Sequence, residues 1–144
     1  ALALLAVAAL AVLGAAVYFR LAPMPPERWH VDPAAVARPA ASNYELRTGD
    51  AEPRIPLPPD EVAARLDAVA RGEGAAPIAG DLAEGHATYV VRSRIMGFPD
   101  AVSIRLHAEG EGTRVDIFSR SRFGESDLGV NAARVARWID AATP

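Results

Sequence analysis

The chain has 144 residues, 51% of them hydrophobic, with fifteen basic side chains against eighteen acids and a net charge of −3. It has no cysteine, which excludes a disulfide framework, a thiolate metal site and a cysteine nucleophile. So acidic a chain is ill suited to the phosphate backbone, and no nucleic-acid partner is expected.

Residues 1–19 carry no charged side chain and are almost wholly apolar; Arg20 is the first charged side chain. A hydrocarbon layer of ~30 Å needs a helix of ~20 such residues, so residues 1–20 are expected to form a single transmembrane anchor. A cleaved export signal, with a small-residue site at Gly14-Ala15-Ala16, is the rival reading of the same composition. Tyr18, Phe19 and Arg20 fit an interfacial anchor in which aromatic rings and a snorkelling cation sit at headgroup level. Ala1, Ala8, Ala11 and Ala15 fall on one helical stripe, where small side chains let a second helix approach closely. These four are the candidate helix-packing residues. Arg20, Arg28 and Arg38 all follow the span, and counted literally they place the domain in the cytoplasm.

Residues 21–27 contain Pro23, Pro25 and Pro26 and read as a stiff spacer. Residues 28–144 are expected to form one soluble domain. Its charge is uneven: residues 27–86 hold six Arg and eleven acids, residues 87–122 six Arg and four acids. Residues 29–58 read as an ordered, irregular wrap docked through Trp29, Val31, Tyr44 and Ile55, with a short strand at 44–46. Pro58-Pro59-Asp60-Glu61 opens a helix with Val62, Leu66 and Val69 on one face, ended by Gly72 and Gly74.

Residues 88–94, 101–107 and 113–122 alternate as strands, with Gly97-Phe98-Pro99-Asp100 and Glu109-Gly110-Glu111-Gly112 as the intervening turns. Residues 128–142 then show helical spacing at Leu128, Ala132, Val135 and Ile139, with Trp138 beside them and Ser126-Asp127 as cap candidates. Helix, consecutive strands and helix predict an α+β fold, a small antiparallel sheet with two helices on one face. Strand parity sends Val102, Ile104, Leu106, Val115 and Ile117 toward the helices. It sends Arg92, Arg94, Arg105, Arg120 and Arg122 to the outer face, where they are the candidate contacts for a partner or a small anion. The structural alternative pairs Arg92, Arg94, Arg120 and Arg122 with Asp100, Asp116, Glu125 and Asp127 across the sheet.

Residues 92–100 (RSRIMGFPD) and 119–131 (SRSRFGESDLGVN) resemble the signature of the domain of unknown function 1499 family, the similarity extending over roughly residues 27–142. The resemblance implies a signal or membrane anchor followed by one small domain, and a tendency toward export. That tendency favours a periplasmic domain on a bacterial inner membrane, against the literal charge count. It implies no activity and no cofactor. Of enzyme signals there is little: His30, His86 and His107 lack the spacing of a helical zinc site, and Ser126 lies outside any nucleophile elbow. His30 and Asp32 alternate on an extended segment, a weak metal pattern. The expected role is therefore a non-catalytic accessory or assembly subunit of an integral membrane protein complex; binding of a lipid headgroup or small anion by the arginine face is the alternative.

Overall fold

The computed structural model describes residues 1–144. Helix α1 (Leu2–Leu21) buries none of its residues and is long and apolar enough to cross a membrane. It is followed by a one-turn helix α2 (Pro26–Trp29), strands β1 (Tyr44–Arg47) and β2 (Arg54–Ile55), helix α3 (Pro59–Gly72), strands β3 (Ala76–Asp81), β4 (His86–Arg92), β5 (Pro99–Glu109) and β6 (Gly112–Ser121), and helix α4 (Val130–Ala142). The strands form one antiparallel sheet in the order β1-β6-β5-β4-β3, with β2 also paired to β6. The fold is α+β, with α3 and α4 against one face.

The long strands β5 and β6 meet at a two-residue turn in which Gly110 supplies a positive φ of 61°, a conformation glycine adopts without a Cβ penalty. Strand β3 escapes the alternation rule. Its register against β4 shifts between Pro77 and Ala79, and proline is tolerated there because β3 is an edge strand.

The helix-facing side of the sheet supplies Tyr89, Val91, Val102, Ile104, Leu106, Val115 and Ile117 to a core completed by Val62, Leu66, Val135 and Trp138. Helix α3 places Val62, Ala63, Leu66 and Ala70 inward at helical spacing. The inward face of α4 departs from the expected one. Leu128 lies outside the helix, exposed and with φ +53°. The buried residues are Asn131, Arg134, Val135, Trp138 and Ala142, so the face turned to the sheet begins polar and becomes apolar only in its second half.

The outer face is not open. Residues 22–36 run across it: Trp29 and Met24 pack on Val90 and Ala101, and the Trp29 carbonyl accepts from Ser103 Oγ at 3.2 Å and Arg120 Nη2 at 3.1 Å. His30 stacks on His86 at 4.1 Å and meets Thr88 Oγ1 at 2.8 Å, while His86 Nε2 lies 3.0 Å from the Val31 carbonyl. Ala22 and Met24 of the proline-rich segment are themselves buried. The spacer is thus packed onto the domain.

Trp138 is fully buried, edge-on to Tyr89 at 6.1 Å, and donates from Nε1 to Glu73 at 2.9 Å. Trp138→Ala should therefore lower unfolding free energy by about 3–5 kcal/mol in denaturant titrations, and Trp138→Phe by less.

Candidate functional site

The carbonyls in the last turn of a helix have no partner within it. At the C-terminal end of α1 a side chain from the sheet supplies one. Arg92, the final residue of β4, donates from Nη1 to the Phe19 carbonyl at 2.8 Å and from Nη2 to the Ala22 carbonyl at 2.9 Å. Arg20 returns the contact, its Nη2 lying 2.7 Å from the carbonyls of both Arg94 and Ile95 in the β4–β5 loop. Gly97 makes that approach possible: its φ is +76°, and a Cβ there would collide with the Arg20 side chain. Phe19 packs on Phe98 at 4.1 Å and Phe123 at 5.0 Å, and Tyr18 on Phe123 at 6.0 Å.

Beside this junction lies a cavity of about 280 Å³ lined by Ser93, Phe98, Asp100, Ser121, Phe123, Gly124, Ser126, Asp127 and Val130. Every one of these residues belongs to segment 92–100 or segment 119–131. Phe98 and Phe123 form a wall shared with the end of α1. Asp100, Asp127 and the serines supply the polar lining.

Beneath the cavity the helix-facing side of the sheet turns polar, and the first half of α4 matches it. Arg134 donates from Nη2 to Asp100 Oδ2 at 2.8 Å, and from Nη1 to Asn131 Oδ1 at 2.8 Å and Ser119 Oγ at 3.1 Å. Asn131 Nδ2 lies within reach of the Asn43 carbonyl, Ser121 Oγ and Asp127 Oδ2. Asp127 in turn accepts from the backbone N–H groups of Gly129 and Asn131 and so caps the start of α4. Burial disfavours the charged form of Asp127, but its combined hydrogen bonds from Asn131 and Gly129 outweigh burial and hold the carboxyl below the usual aspartate range. A buried guanidinium is tolerable only with its carboxylate in place and its donors engaged; this network supplies the carboxylate and engages both terminal nitrogens, while Nε is left without a partner. An adjoining cleft on the far side of Asp100 is lined by Arg92, Arg94, Arg134, Arg137 and Glu73. There Arg137 lies across both Glu73 oxygens, at 2.9 and 3.2 Å.

The five arginines of the outer face have separate fates. Arg92 is committed to α1. Arg120 is wedged between the rings of Trp29 and Phe118, at 4.9 and 4.4 Å. Burial, aided by the Arg28 charge, pulls its pKa down to about 10. Arg105 pairs with Asp32 at 3.2 Å. Arg94 is exposed, and Arg122 lies 5.2 Å from the centre of the Phe123 ring. None of Arg92, Arg94, Arg120 or Arg122 pairs with the acids expected of it: Asp100 is taken by Arg134, Asp116 by His107, and Asp127 by backbone and Asn131. His30 and Asp32 turn to different partners, Thr88 and Arg105. On α1, Ala1, Ala8 and Ala11 are exposed and Ala15 is half-buried. The residues missed from sequence are Asn131 and Arg134. Ser119, Ser121 and Asp100 share the parity of the core strand residues, so a polar helix face opposite them was the available signal.

The chain matches the family model described as a protein of unknown function (DUF1499) over residues 21–141, and it belongs to that family. No curated protein matches it.

Removing one partner of the buried pair leaves an uncompensated charge, so Arg134→Ala should cost about 3–5 kcal/mol of stability by denaturant titration. Because the folded-state pKa of Asp127 is depressed, the unfolded chain binds its proton first. Its contribution to stability is full above the unfolded value, ~4, and is lost as pH falls through the folded value. Melting temperatures followed from pH 7 to pH 3 should therefore fall less steeply in Asp127→Asn than in the parent. Asp67, held low chiefly by Arg71, and Glu73, held low chiefly by Arg137, leave a residual acid dependence in both.

Proposed function

We propose that this member of the DUF1499 family is a non-catalytic, single-pass accessory subunit of a larger membrane protein complex, its domain resting on the periplasmic surface of a bacterial inner membrane. The observation that carries the reading is the double clasp at the end of α1. Arg92 ties the helix carbonyls to the sheet, and Arg20 ties the helix to the β4–β5 loop. A tether that only retains a domain needs no such joint. A subunit that presents helix and domain together to a partner does. The stripe of Ala1, Ala8 and Ala11 stays exposed on that helix, where small side chains favour close helix approach.

A second reading, binding of a lipid headgroup or small anion, draws on a different observation. Arg94 and Arg122 make no ion pair and border the end of α1, through the loop that Arg20 binds and the Phe123 ring. It involves these two arginines rather than a whole sheet face, since Arg92, Arg105 and Arg120 are engaged internally.

Purification from native membranes in mild detergent separates the readings. The chain should co-purify with an integral membrane complex, and Ala8→Leu with Ala11→Leu should abolish the association while Leu10→Met, on the opposite side of the helix, leaves it intact. Purification of the parent chain alone would overturn the subunit role.

A further inference from the structure

Outside α1, the exposed large apolar side chains are Ile95, Phe98, Leu128 and Val130. They are not scattered. Ile95 and Phe98 belong to the β4–β5 loop, Leu128 and Val130 to the turn entering α4, and Phe98 and Val130 line the same cavity beside the end of α1. Ile95 is 83% exposed and Leu128 is 95% exposed, so neither is explained by packing within the domain.

The loop also reaches back along the helix. Ile95 and Met96 share a wholly apolar groove with Val12, Leu13 and Ala16 of α1. At a rise of 1.5 Å per residue, Ala16 and Val12 lie roughly 6 and 12 Å before Arg20 along the helix axis. If Arg20 marks the headgroup level, the loop tip stands below it, at the depth of acyl chains.

At that depth each unsatisfied backbone polar group costs several kcal/mol. The loop engages all its carbonyls but that of Met96, and leaves the N–H groups of Arg94, Ile95 and Met96 without a partner. Gly97 N–H donates to the Ser93 carbonyl, Ser93 N–H to the Phe98 carbonyl, and Phe98 N–H to Ser93 Oγ, each at 2.9 Å. The carbonyls of Arg94 and Ile95 are taken by Arg20, at 2.7 Å each. The charged side chain of the loop turns away from the groove: Arg94 lines the clefts on the domain side with Met24, Glu73 and Arg92. What remains on the helix side is Ile95 and Met96.

We infer that the β4–β5 loop is a second membrane element, a short wedge whose Ile95 and Met96 insert into the acyl region beside α1. At Ile95 and Met96 the occupant of the groove is lipid hydrocarbon. Phe98, Leu128 and Val130 mark the shallower edge of the same contact, where apolar and aromatic side chains favour the interface. Arg20 thus has a role beyond anchoring: it satisfies the carbonyls that insertion would otherwise strand. The inference goes beyond the accessory-subunit reading and needs only that α1 lie in the bilayer, so it can be tested without a partner.

The chain is free of cysteine, so single cysteines can be labelled without background. Ile95→Cys, Met96→Cys, Val12→Cys and Glu111→Cys are each labelled with an environment-sensitive fluorophore. The intact chain is then reconstituted into phosphatidylcholine vesicles with and without doxyl-labelled lipid. Labels at residues 95 and 96 should be quenched by the lipid nitroxide to a degree approaching that at residue 12, several-fold more than at residue 111 in the β5–β6 turn, and should resist aqueous iodide. Iodide quenching at 95 and 96 equal to that at 111 would overturn the inference. Protection from both quenchers would also overturn it, by showing that protein covers the loop. A label at residue 12 that lipid fails to quench would bring down the span itself, and with it both the insertion and the single-pass anchor of the subunit reading.

Discussion

The rest of this structure depends on how the last turn of α1 ends. A helix of 20 residues that buries none of them is fixed relative to the domain only by the contacts at its last turn, where its final carbonyls need donors. Arg92 supplies two, to Phe19 and Ala22. Hydrogen bonds from a charged donor are worth roughly 1.5–3 kcal/mol each, more than a surface ion pair supplies. Being planar, the guanidinium also fixes the angle between the carbonyls it bridges. A lysine ammonium, a compact point charge on a flexible stem, would not set that angle.

The second constraint lies directly behind the first. Residues 92–100 close the junction with α1, while Asp100 at their end reaches inward to Arg134. Residues 119–131 carry Phe123 to the same junction and Ser119, Ser121 and Asn131 to the same buried network. The two segments are therefore coupled on both sides of the sheet's end: outward through aromatic contacts with Phe19, inward through Arg134. Between these layers lies the cavity. Its lining of two carboxylates, three serines and two phenylalanines contains no arginine, which is why the anion reading rests on the rim rather than the interior.

Much of this architecture was legible in the sequence. The uncharged run before Arg20, the alternation of residues 101–107 and 113–122, and the proline-led start of α3 each follow from one dominant local rule, and the structure follows them too. Strand β3 was not legible, because Pro77 and Gly80 break its pattern and an edge strand needs no alternation to be held in place. The start of α4 misled for a related reason. Leu128 has the right spacing for a core residue, but Asp127 caps the helix two residues later and leaves Leu128 outside it. For the candidate site, the two motif segments point to the correct end of the molecule. The fates of individual arginines do not follow from parity, since parity gives a side chain's face and not what crosses over that face. Residues 22–36, which cross it, have no periodicity to read.

Helix α1 and the domain form one body joined at Arg92. Spin labels introduced at Leu10→Cys and Glu111→Cys in the cysteine-free chain, followed by pulsed dipolar distance measurement in lipid nanodiscs, test it directly. One narrow distance distribution is expected, broadening when Arg92→Gln is added. A distribution already broad with Arg92 in place would contradict it, and would make α1 a loose tether.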